Sequence, residues 1–325
     1  MANLKSSFAC WDYDRTRALF DGRVQCSGAD LTHVNLPVDE TFFRMSRYRE
    51  FDIAEMSLSS YCVSLHTPER PFVAIPVFPS RFFRHSCIYI NADSGIKTPA
   101  DLNGRRVSCP EYQMTAPVWI RGMLQDSYGV DFHSQQHYTG GQEQPGREER
   151  FKLNLDWVQP IESNRTLASM LAAGEIDALY AARTPSTFDN QRVKRLFPDY
   201  ADVERKYYRD TGIFPIMHTV VIRREVYEKN PWIAQNLTTA LTQAKDLAYT
   251  ALGETDALTA SLPWLPAYLA DTRREFGDDW WSYGYNQNLH TLKTFCRYHY
   301  EQGLSARLLD PSELFAPETL SVSKL

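Results

Sequence analysis

Long apolar runs are missing from this chain. No stretch approaches the roughly 18 consecutive apolar residues of a membrane span, and charges interrupt the longest candidates, so a soluble protein without a membrane partner is expected. A basic excess is missing too. The formal net charge is -5 and the pI about 5.9, which speaks against nucleic acid as a partner, because tracking phosphates takes a clear surplus of Lys and Arg. Any anion site must therefore be local. Paired cysteines are absent: Cys10, Cys26, Cys62, Cys87, Cys109 and Cys296 are scattered with no CxxC spacing, as suits reduced thiols rather than a disulfide framework. No HExxH, P-loop or GxGxxG signals zinc, nucleotide or dinucleotide. The opening MANLKSSFACWDYDRTRALF places Asp12, Asp14, Arg15 and Arg17 where a secretory signal needs an unbroken apolar run. Export is not expected, and the cytoplasm is the expected compartment.

What is present is ample for folding. The 325 residues, 43% of them apolar, suffice for one large or two medium packed cores. Short β-rich runs alternate with helix-length segments, the pattern of parallel sheets covered by helices. FDIAEMSLSSYCVSL reads as a strand feeding a helix, PFVAIPVF as a buried strand ended by Pro79, and RRVSC as a strand before a helix with an internal Pro117. Residues 141–156, GQEQPGREERFKLNLD, read as a charged loop. Asn230-Pro231 opens a long helix, with Pro in its first turn. Two α/β lobes are expected, one from 1–90 with 220–325 and the other from 91–219. Strands near 85–92 and 215–223 are expected to cross between them and floor a ligand cleft.

Several segments carry side chains suited to an organic anion. RFFRH supplies Arg81, Arg84 and His85: two guanidinium groups for carboxylates and an imidazole for proton exchange. A surface basic turn is the plainer account. His218 starts the second crossing strand, where a hinge histidine is the alternative to an acid, base or metal ligand. Glu55, Ser57 and Ser59 follow FDIA at a strand-to-helix junction, where serine also serves as an ordinary cap. Tyr112, Gln113 and Thr115 occupy the equivalent junction in the second lobe. Arg147, Arg183 and Arg47 are further cations that solvated surface charge explains equally well. His133 and His137 have i,i+4 spacing, but their polar setting reads as a loop.

The segments FFRMSRYREFDIAEMSLSSY, FVAIPVFPSRFFRHSCIYIN, DLNGRRVSCPEYQMTAPVWIRG, GGQEQPGREE, TGIFPIMHTVVIRREVYEKNPWIAQ and YEQGLSARLLDPSELFAPETL resemble the 4,5-dihydroxyphthalate decarboxylases over nearly the whole chain. The resemblance implies a two-lobed type II periplasmic-binding-protein-like fold with two crossover strands. It also implies conversion of 4,5-dihydroxyphthalate, a small aromatic dicarboxylate, to 3,4-dihydroxybenzoate and carbon dioxide in phthalate catabolism. A non-catalytic aromatic-anion binder, or a decarboxylase of another hydroxylated aromatic acid, are the alternatives, and homo-oligomerisation is left open. For that reaction His85 is the leading acid/base expectation, with His218 or Glu55 as its complement. Arg81 would anchor the retained carboxylate, and Phe82, Phe83 and Trp119 would provide an apolar place for the departing one. No cofactor is expected; a divalent metal ion bridging the phenolic oxygens is the alternative.

Overall fold

The computed structural model describes residues 3–147, 149, 151, 153 and 155–321. The chain divides into two units, the first holding Met1–Arg81, Ile216–Lys293 and Leu309–Leu325, the second Phe82–Pro215 and Thr294–Leu308. In chain order the strands are β1 (Leu4–Ala9), β2 (Ala29–Val34), β3 (Ile53–Ser57), β4 (Phe72–Ile75), β5 (Ile88–Asn91), β6 (Arg106–Cys109), β7 (Gln136–Thr139), β8 (Val158–Pro160), β9 (Ala178–Tyr180), β10 (Val193–Arg195) and β11 (His218–Arg223).

In the first unit the strand order is β2-β1-β3-β11-β4. β1 runs parallel to β2 and β3, while β11 is antiparallel to β3 and β4. Strands covered on both faces read as unbroken apolar runs, and β3 fits: Ile53, Ala54 and Met56 are fully buried. Glu55 is the exception inside it, also fully buried. A carboxylate at such a position is costly unless paired. The helix Asp14–Phe20 packs on the long helix Trp232–Gly253, which Pro231 caps with a φ of -57° already suited to helix. β4 stops at Ile75, because Pro76 has no N–H for the ladder; the break comes earlier than the Pro79 expected.

In the second unit the order is β10-β5-β9-β6-β7-β8. β6 is parallel to β7 and β9, and β5 is antiparallel to β9 and β10. Pro117 lies in the first turn of the helix Thr115–Tyr128, where its missing N–H costs no intrahelical bond, so the helix continues through it. Gly122 of that helix is required by close approach, since a Cβ there would overlap the Tyr298 ring. Residues 141–156 hold no helix or strand among the described residues; 148, 150, 152 and 154 of that expected loop lie outside them.

The division differs from the expected lobes at three places. Residues 82–90 belong to the second unit, because β5 is a member of its sheet. Residues 216–219 belong to the first, where His218 and Thr219 pair with Ser57 and Met56. Thr294–Leu308 returns to the second, with Phe295 and Tyr298 against Trp119 and Gln302 hydrogen-bonded to the buried Arg121. β5 and β11 each lie within one sheet, so neither is itself a crossing strand. The chain passes between units at 81/82, 215/216, 293/294 and 308/309.

Candidate active site

The β3–β11 register sets the centre of the site. His218 stands opposite Ser57 and Val220 opposite Glu55, so the Glu55 and His218 side chains share one face of the sheet as diagonal neighbours. His218 Nδ1 lies 2.6 Å from Glu55 Oε1. The Tyr13 hydroxyl donates to the same oxygen at 2.6 Å, the Trp11 N–H donates to Oε2 at 3.2 Å, and the Cys10 thiol lies 3.8 Å from Oε2. Those three residues come from the turn between β1 and the helix Asp14–Phe20. Burial pushes the Glu55 carboxyl up, but His218, the Tyr13 hydroxyl and the Trp11 N–H outweigh it and hold the acid below its ordinary range. The same environment raises its neighbours: burial first, then the Glu55 charge, keep the Cys10 thiol and Tyr13 phenol protonated.

When Nδ1–H is given to the carboxylate, Nε2 is the ring atom left to accept a proton. Nε2 has no hydrogen-bond partner among the described residues, and the side chain keeps 16% of its surface exposed. Phe42 packs edge-on against the ring at 4.7 Å. The pair is thus built to accept a proton at one atom while the charge it creates is matched by a fixed anion behind it. Among the described residues no three His, Cys, Asp or Glu side chains come together as metal ligands.

No family model matches the chain. A 4,5-dihydroxyphthalate decarboxylase from Comamonas testosteroni is 42% identical to it over 330 residues, spanning 100% of both chains. One from Pseudomonas putida is 41% identical over 214 residues, 64% of this chain and 83% of that one. This chain belongs to the 4,5-dihydroxyphthalate decarboxylase family. As in the periplasmic sulfonate-binding protein SsuA from Methylobacillus flagellatus, the family member has a periplasmic-binding-protein-like fold: that structure is 16% identical, covers 98% of this chain and 94% of its own, and superposes with a TM-score of 0.50. No helix among the described residues is long and apolar enough to cross a membrane.

The other expected site residues of this decarboxylase family member fall in varied places. His85 is fully buried in the second unit, edge-on to Tyr128, Phe197 and Tyr207, with no partner for either ring nitrogen among the described residues. Burial holds its imidazole down at about 4. This is the setting of a neutral core histidine, a correction to the leading role expected for it. Arg81 is buried in the first unit and donates to the Ser282 carbonyl at 2.7 Å and to Asn288 Oδ1. Arg84 approaches Cys87 Sγ at 3.5 Å and covers the Phe82 ring. Ser57 caps the helix Leu58–Ser64 by accepting from Ser60 N–H, the plainer of its two expected roles, and Ser59 is fully buried. Arg47 and Arg183 are exposed.

Tyr112 is buried with the Arg121 guanidinium 3.8 Å over its ring, and Trp157 Nε1 donates to its hydroxyl at 3.3 Å. Gln113 and Arg147 both turn to Glu111, at 2.8 and 2.5 Å, a fully buried acid that the strand-to-helix reading overlooked. Thr115 opens the following helix. Trp119 lies in the core against Phe295 and Tyr298, so it is no wall for a departing carboxylate; Phe83 stacks on Phe214, and Phe82 is half exposed. His137 is a strand residue of β7 bonded to the Phe132 carbonyl at 2.8 Å, not part of a loop as expected. Tyr13 was missed because nothing in sequence links it to a carboxylate 42 positions away.

Proposed function

We propose that this chain decarboxylates 4,5-dihydroxyphthalate to 3,4-dihydroxybenzoate and carbon dioxide, a carboxy-lyase reaction in phthalate catabolism, with His218 as the proton-exchanging residue and Glu55 as its fixed counter-ion. The observation that carries the reading is the buried Glu55 carboxylate 2.6 Å from His218 Nδ1 in a member of this family.

Loss of a carboxylate from an aromatic ring leaves an electron pair that needs a sink. In this substrate the hydroxyl para to the departing group provides one. His218 Nε2 takes that phenolic proton, and a proton is delivered to the ring carbon bearing the carboxylate, giving a dienone. Cleavage of the carbon–carbon bond then releases carbon dioxide, and its electron pair restores the aromatic ring while the oxygen regains a proton. One proton is consumed for each carboxylate lost. Glu55 stabilises the imidazolium in passing, as a buried anion does best when already ionised. The retained carboxylate pairs with Arg81, whose guanidinium is held in place by Ser282 and Asn288. The ring's own oxygen is the sink, so this route calls on no cofactor.

The test is carbon dioxide release from 4,5-dihydroxyphthalate by the purified chain. Stoichiometric release with 3,4-dihydroxybenzoate is expected. Binding without turnover would replace the enzyme with an aromatic-anion receptor, and turnover of a different hydroxylated acid alone would replace the substrate.

A further inference from the structure

We propose that Tyr13 is a positioning residue that sets the proton affinity of His218 through the oxygen they share on Glu55. The proposal rests on the acid/base role given above to His218, and it concerns a residue outside that role. Tyr13 and His218 both bond Oε1, each at 2.6 Å, while Oε2 faces the Trp11 N–H. A carboxylate oxygen that already accepts one strong hydrogen bond has less charge to offer a second donor. Tyr13 therefore tempers the pull of Glu55 on the imidazolium, keeping His218 able to release the proton it has taken.

The phenol is itself backed by a cation. Arg15 Cζ lies 4.1 Å from the centre of the Tyr13 ring and 4.1 Å from that of the Trp281 ring. Its Nε donates to the Pro79 carbonyl at 2.6 Å and its Nη1 to Asp14 at 3.0 Å. A guanidinium held over the ring draws electron density from it and makes the hydroxyl a better donor. The order of influence is then Arg15, Tyr13, Glu55, His218.

Other groups around this chain of contacts leave its sign unchanged. From the end of β1 comes Cys10, whose burial keeps the thiol neutral. Tyr283 brings a buried hydroxyl near Cys10, Arg15 and Arg81, and burial keeps that phenol protonated. The helix Val38–Tyr48, which places Phe42 on the His218 ring, carries Asp39 and Glu40 in its first turn. Glu55 is the only anion bonded to the imidazole among the described residues.

The experiment is a ring-nitrogen NMR titration of His218 in the full chain, beside the pH profile of kcat, for the wild type, Tyr13→Phe and Glu55→Gln. Tyr13→Phe should raise the His218 midpoint by about half a unit to one unit and move the acid limb of kcat upward with it, leaving KM little changed. Glu55→Gln, which removes the anion, should lower the midpoint. Opposite shifts are the signature, since mere loosening of the pair would lower it in both variants. A Tyr13→Phe midpoint that stays put or falls, in a protein whose circular dichroism and melting match the wild type, would overturn the proposal. The titration needs no turnover: if the wild type releases no carbon dioxide, the reaction fails while the NMR result still decides the role of Tyr13.

Discussion

His218 in the first unit and His85 in the second are both withdrawn from water, and their surroundings differ in kind. His218 has a carboxylate at 2.6 Å and, among the described residues, an Nε2 without a hydrogen-bond partner. His85 has three aromatic rings and, among the described residues, no hydrogen bond to either ring nitrogen. Burial among those rings holds the His85 imidazole neutral. A histidine among arginines in sequence is therefore poor evidence of an acid or base.

The sharpest way to break the comparison is to remove each histidine in turn. His218→Ala is expected to lower kcat for carbon dioxide release by roughly 10²- to 10⁴-fold, the usual worth of a positioned proton-transfer group, whereas His85→Phe should leave turnover close to that of the wild type. Equal losses would mean that the two sites share the chemistry.

A second contrast lies in stability against pH. The folded His85 titrates near 4 instead of the ordinary 6.5, so between those values the unfolded chain holds a proton that the folded one lacks. Stability must then fall as pH drops from about 6.5 to 4, by about 3 kcal/mol for this residue. His137, also held down to about 4 by burial and then by Arg121, acts in the same window. Glu55 behaves oppositely in cause: its folded acid is stronger than the ordinary one, so its contribution is present above about 4.5 and lost only as pH falls below that. Urea unfolding of His85→Phe across pH 4 to 7 should show a shallower slope than the wild type, with the drop below 4.5 retained. An unchanged slope would contradict the neutral state assigned to His85.

The smallest effect expected is that of chelation. Exhaustive treatment with a chelator should leave turnover intact, because the phenolic oxygen para to the departing group serves as the electron sink. Loss of activity restored by a divalent cation would favour an ion bridging the two phenolic oxygens.

The fold was legible where burial leaves a pattern: FDIAEMS, FVAI and RVSC become β3, β4 and β6 because their apolar runs have nowhere else to go. Glu55 was expected past the end of FDIA, at the strand-to-helix junction, and lies inside β3 instead, because the strand runs on to Ser57; His218, expected at the start of its strand, opens β11. What sequence could not show is which distant side chains surround a residue. His85 owes its neutrality to Tyr128, Phe197 and Tyr207, and Arg147 owes its place to Glu111 36 positions earlier. The boundary at 294–308 escaped because the packing of Phe295 and Tyr298 on Trp119 leaves no local mark.

The most direct test of the His218 assignment is a crystal structure with 3,4-dihydroxybenzoate bound. The account predicts a phenolic oxygen of the ring within about 2.6–3.2 Å of His218 Nε2, with the Glu55 contact to Nδ1 kept. A bound ring that leaves Nε2 untouched and instead meets His85 would contradict it.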